Sequence, residues 1–121
     1  MSLIIQKFES FLQEFDLSKT QVYKTGGGQI ALNETGDLAI VWTDGRYPEI
    51  EKGYSLNSVC EEKITVLFGT IILEIEDKFL VLKSKDSYEV KPGNKYSIAG
   101  KAVCKVEISP KWDSLQNSFV F

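Results

Sequence analysis

The chain has 121 residues, enough for one domain with a real core and too few for two. Hydrophobic residues at 43% and aromatics at 12% exclude a disordered chain; a net charge of −3, with lysines scattered around a single arginine, leaves no basic face for nucleic acid. No apolar run approaches the roughly 20 residues that cross a bilayer, and the first residues lack a basic stretch leading into an apolar block, so neither a membrane span nor a secretory leader is expected.

Along the chain, Ile4, Ile5, Phe8, Phe11, Leu12 and Phe15 recur at helical spacing, with Gln6, Lys7, Glu9, Gln13 and Glu14 on the other side and Ser2 placed as N-cap. This predicts a short amphipathic helix within residues 1–19, its apolar side packed on the chain's own barrel or on a partner subunit. From residue 20 to 121 short β-rich runs alternate with turn residues. Strands are expected at 21–24, 29–32, 38–42, 63–68, 70–75, 79–82, 88–90 and 102–108. Turns are expected at Gly26-Gly27-Gly28, 33–37, 43–46, Gly69, 76–78 and Pro92-Gly93. Turn signals about every ten residues predict an all-β, antiparallel sandwich or barrel. The glycine triplet lacks the Lys-Ser/Thr of a phosphate loop and opens no helix, so it reads as a turn.

Two cysteines, Cys60 and Cys104, do not make a disulfide framework and read as reduced thiols of a cytoplasmic protein. Histidine is absent, where ordinary usage would give about three in a chain of this length.

Two stretches carry more specific information. Residues 53–69 (GYSLNSVCEEKITVLFG) and 85–100 (KDSYEVKPGNKYSIAG) resemble the two motifs of the cupin superfamily. The first motif runs glycine, two histidines one residue apart, a glutamate, and a glycine seven positions later; Gly53, Glu62 and Gly69 match it. Its histidine positions fall on Leu56 and Ser58, or on Ser55 and Asn57 if the spacer is one residue longer. In the second motif Lys85 stands at the glycine, Lys91 at the proline, Gly93 at the second glycine and Tyr96 at the histidine. The resemblance implies an antiparallel double-stranded β-helix, the jelly-roll barrel of the cupins, preceded by the short amphipathic helix.

The family's metal sits on three imidazoles and one carboxylate, of which only Glu62 has a counterpart, so no cofactor is expected and oxygenase chemistry is disfavoured. A site of Cys60, Cys104 and Glu62 is the remaining route to a metal enzyme with atypical ligands, without the cysteine spacing such sites show. A metal-free branch of the family epimerises deoxysugar nucleotides with a histidine–aspartate base and a tyrosine acid. Here Glu62 would replace the base and Tyr96 the acid, giving a metal-independent sugar or sugar-phosphate isomerase.

Strand alternation places Leu56, Ser58, Cys60 and Glu62 on one side, facing Tyr96, Ile98, Ala102 and Cys104. These, with the lone Arg46 as an anion fork, are the pocket candidates. The reading that results is a metal-free cupin that binds a small organic molecule, or regulates through a protein partner, without turnover. A homodimer is expected from the apolar helix and C-terminal tail, which need cover.

Overall fold

The computed structural model describes residues 2–121, and among these nine strands follow one α-helix. The helix α1 spans Leu3–Phe11. The strands are β1 (Gln21–Thr25), β2 (Gly28–Leu32), β3 (Leu38–Tyr47), β4 (Tyr54–Asn57), β5 (Glu61–Ile75), β6 (Lys78–Lys83), β7 (Ser87–Val90), β8 (Tyr96–Ser109) and β9 (Asn117–Val120).

Two long strands set the architecture. β5 and β8 pair antiparallel along their length, from Glu61 opposite Ser109 to Ile75 opposite Tyr96. The other edge of β8 is taken by β3, from Leu38 opposite Glu107 to Tyr47 opposite Ile98. β1 and β2 continue from β3, while β4 and β9 extend the sheet beyond the end of β3, with Ser55 opposite both Tyr96 and Phe119. β6 and β7 lie on the far edge of β5. The sheet curls into the antiparallel barrel expected, with its inward positions on β3, β5 and β8 packed around Val66, Ile71, Leu73, Ile98 and Ala102.

The bends are glycine positions, and they explain why the expected turns at 69 and 43–46 fall inside strands. β5 passes through a bulge at Val66–Phe68 and continues beyond Gly69, whose φ is +87° and where a Cβ would run into the Lys101 carbonyl. β3 continues through Gly45 (φ +147°), which pairs with Gly100 (φ +139°) on β8. Opposed glycines let both strands bend without side chains colliding.

The helix starts as its cap predicts, Ser2 Oγ accepting from the Ile5 amide at 3.2 Å. It is shorter than its apolar periodicity suggests. After the cap at Leu12 the chain makes a turn at Phe15, and Asp16 then caps a 3₁₀ turn, Leu17–Lys19, which delivers the chain into β1. Ile4, Phe8 and Leu12 are buried against Ala31, Ile40 and Val103 on the outside of the barrel, with Phe15 and Trp42 alongside. Burying these three side chains is worth about 5 kcal/mol, an upper figure because the unfolded chain already hides part of that area. With Phe11 left 37% exposed, most of the apolar side of the helix is thus covered by its own barrel. The outer face of the β5–β6 hairpin is not: Ile72, Phe79 and Val81 remain 46%, 68% and 59% exposed.

Candidate functional site

Alternation along β3, β5 and β8 turns Val41 and Tyr47, Glu62 and Ile64, and Tyr96, Ile98, Cys104, Val106 and Ile108 toward one end of the barrel interior. They enclose a cavity of about 290 Å³, at the low end of the range for small-molecule sites. Most of its wall is apolar. Tyr23 and Trp112, with ring centroids 5.9 Å apart, stand with Phe119 toward the open end, where the solvated side chains of Lys24 and Lys52 are also found. Lys52 pairs there with Glu49 at 2.9 Å, and Glu49 also accepts from the Gly26 amide.

The polar pole is Glu62. Its Oε1 accepts two hydrogen bonds, from Asn57 Nδ2 and from the Tyr96 hydroxyl, each at 2.8 Å. Behind Asn57 a network holds it in place: Asn57 Oδ1 accepts from Gln116 Nε2 at 3.0 Å and Asn117 Nδ2 at 2.8 Å, while Gln116 Oε1 accepts from the Val59 and Cys60 amides. Every side-chain amide of this network therefore has its orientation set by a partner. Glu62 Oε2 has no protein partner, and it is not among the sealed unpaired atoms of the barrel, where only Thr43 Oγ1 is found among the described residues. It opens into the cavity that Glu62 lines.

Burial raises the pKa of Glu62 above its usual carboxylate value, and the donors Tyr96 and Asn57 pull it back only in part. Desolvation and the neighbouring Glu62 hold the Tyr96 phenol well above its usual value, and Tyr47, on the adjoining strand β3, is pushed up to about 12 chiefly by burial. Ser55 lies against both phenols and pulls each back down in part. Cys104 is lifted to about 12 by burial, so its thiol lines the cavity as an apolar group rather than a nucleophile.

These groups do not suit the metal that the fold family commonly carries. The residues gathered at the pole are Ser55, Asn57, Glu62 and Tyr96, a single carboxylate with neutral oxygens and an amide. Both neighbours of Glu62 Oε1 turn donors toward it, the polarity opposite to a ligand shell in which every group offers lone pairs. No cluster of three or more His, Cys, Asp or Glu with ligating geometry occurs among the described residues.

Of the residues singled out from sequence, Glu62, Tyr96, Ile98 and Cys104 line the cavity, and Leu56, Ser58, Cys60 and Arg46 do not. The turn at 58–60 between β4 and β5 breaks the alternation, so on β4 it is Ser55 and Asn57 that are buried, while Leu56 is half-buried and Ser58 exposed. Cys60 is buried but aims its thiol at the Pro110 carbonyl, 3.2 Å away, and burial pushes its pKa up. Arg46 donates to the Pro48 carbonyl at 2.8 Å and stacks over Tyr54. Ala102 is buried deeper in the core. Sequence reasoning passed over Tyr47, Gln116 and Asn117. Tyr47 was legible only by carrying the alternation of β3 through the glycine at 45.

No protein-family model matches the chain, and no curated protein matches it significantly. Solved structures do resemble it. The Streptomyces protein Pac13, described as a nucleoside dehydratase, superposes with a TM-score of 0.77 over 88% of this chain and 89% of its own at 10% identity, and three of its variants are solved with uridine. Drosophila melanogaster CENP-C, solved bound to CAL1, gives a TM-score of 0.63 at 20% identity, over 88% of this chain and 93% of that one, and its matching region is described as a cupin domain. KdgF from Halomonas sp. gives 0.64 at 17% identity, over 84% and 97%. The chain has the cupin fold.

Proposed function

We propose that this protein is a metal-free binding module that holds a small organic molecule in the cavity at Glu62. The observation that carries the reading is the free Oε2 of a buried glutamate opening into an apolar, aromatic-walled cavity. A polar group fixed by a network of amides and left unpaired on the cavity side is how a specific site is built. Pac13, a barrel of the same fold solved with uridine, is an instance of this architecture holding a compact organic ligand. Native mass spectrometry of freshly purified protein, together with a fragment screen read by melting temperature, tests this. Binders whose effect disappears in Ile98→Trp, which fills the cavity, support it; binders unaffected by that change refute it.

A second reading has one observation in its favour. The 2.8 Å contact between Tyr96 and a glutamate held toward its neutral form is a proton-transfer pair, the equipment of a metal-independent sugar or sugar-phosphate isomerase. Deuterium incorporation from heavy water into a panel of sugar phosphates, lost in Glu62→Gln, would identify it; no incorporation removes it.

Both thiols are free, which supports a cytoplasmic site of action. Among the described residues no helix is long and apolar enough to cross a membrane. A homodimer remains part of the proposal, with its support moved from the helix to the exposed Ile72, Phe79 and Val81 beside the unpaired outer edge of β6. A monomer mass in light scattering at micromolar concentration refutes it.

A further inference from the structure

Burying a carboxyl group is costly unless it meets a cation or a full set of donors. Glu62 meets two donors, and both bond the same oxygen. The titratable and polar side chains around it are Tyr47 from β3, Ser55 and Asn57 from β4 and Tyr96 from β8, with Cys60 of the turn before β5 nearby but aimed at the Pro110 carbonyl. None is a cation. The basic groups that do line the cavity, Lys24 and Lys52, are solvated side chains at its open end, and Lys52 is already occupied by Glu49. The cavity therefore offers one carboxyl oxygen with lone pairs to spare, beside two phenol rings, at the end of an apolar passage. Those are the surroundings in which an ammonium group on an apolar body is held by a charge-assisted hydrogen bond and by ring faces.

We propose that the cavity selects organic amines, compact molecules whose ammonium group donates to Glu62 Oε2 while the apolar body packs against Ile64, Ile98, Val106 and Ile108. This rests on the reading of the cavity as a small-molecule site and names the class of molecule it takes. A neutral alcohol of the same shape makes the same hydrogen bond without the charge. A carboxylate sets acceptor against acceptor once Glu62 is ionised, and is then rejected.

The geometry couples binding to protons. Burial holds Glu62 toward its neutral form in the free protein, and an arriving ammonium converts it to the carboxylate, so binding releases up to one proton. Affinity for the amine rises as pH climbs through the raised pKa of Glu62. Tyr47, Tyr96 and Cys60, all shifted upward, stay neutral over that range.

Benzylamine, benzyl alcohol and benzoate share one shape and differ in the group offered to Glu62. Titrated at neutral pH and followed by amide NMR shifts, benzylamine binds at least about tenfold more tightly than the other two, and Glu62→Gln brings it down to the level of the alcohol. Equal affinity for benzylamine and benzyl alcohol, or a preference that survives in Glu62→Gln, overturns the amine assignment and leaves the cavity a binding site. The absence of shifts at cavity residues with any of the three at about 10 mM overturns both. Should Glu62→Gln fail to fold, the wild type decides alone: benzylamine affinity that is the same at about pH 5 and about pH 8 overturns the assignment.

Discussion

Replacing Glu62 with glutamine keeps the shape of the polar pole and removes its titration. The glutamine carbonyl can still accept from Asn57 and Tyr96, and its amide group points where Oε2 opens into the cavity. In the wild type the folded-state pKa of Glu62 lies above the unfolded value near 4.5, because burial penalises the charge more than the two donors favour it. The folded protein then binds more protons than the unfolded chain between those two pKa values, so stability falls as pH rises through the window that starts near 4.5 and ends at the raised pKa. Each unit of elevation removes about 1.4 kcal/mol at neutral pH, equivalent to about 3–6 °C in melting temperature for a chain of this size. Glu62→Gln lacks this loss. Asp37, Glu49 and Glu61, whose pKa values are lowered by exposed partners, lose stabilisation as pH falls, but they do so in both proteins and cancel from the difference. Urea unfolding followed by tryptophan fluorescence gives the two stability curves against pH. The variant gains on the wild type as pH rises from about 4 to about 8. Parallel curves over that range would show that Glu62 titrates normally and would sink the account of the buried pole.

Other consequences are separable from the site. Thr43 is 1% exposed and its Oγ1 has no partner, so Thr43→Val, of similar shape, raises stability by about 1 kcal/mol in urea titration; a loss of stability means the hydroxyl is paired. Lys85 holds a φ of +80° at the position where the cupin motif has glycine, so Lys85→Gly gains about 0.5–1 kcal/mol, read as a higher urea midpoint with unchanged slope. Because the donors at the pole point the wrong way for a metal's ligand shell, a chelator such as EDTA leaves the melting temperature unchanged; a drop of several degrees would identify a structural metal.

Much of the fold was legible because period-2 alternation and turn residues survive in the sequence. The ordered pair of motifs, with Glu62, Gly69, Gly93 and Tyr96 at their positions, supplied the topology. What was not legible is instructive. Gly69 and Gly45 read as turns because local sequence cannot distinguish a glycine that ends a strand from one that lets a strand bend. The pairing partners that decide, Ala102 and Gly100, lie more than thirty residues away. The inward parity of β4 was lost across three residues of irregular chain at 58–60, which exchanged Leu56 and Ser58 for Ser55 and Asn57. Glu62 and Tyr96 were found because each stands at a motif position, near the start of a long strand. Gln116 and Asn117 had no local signal at all. They reach Asn57 only because β9 folds back along β4.

The central claim is that the cavity at Glu62 is a site for a small organic molecule. A crystal soaked with a fragment library tests it most directly. The account predicts fragments inside the barrel, bonded to Glu62 Oε2 and packed on Ile64 and Ile98. An empty cavity, with fragments gathered only on the exposed Ile72, Phe79 and Val81 face, would contradict it and point to a protein partner instead.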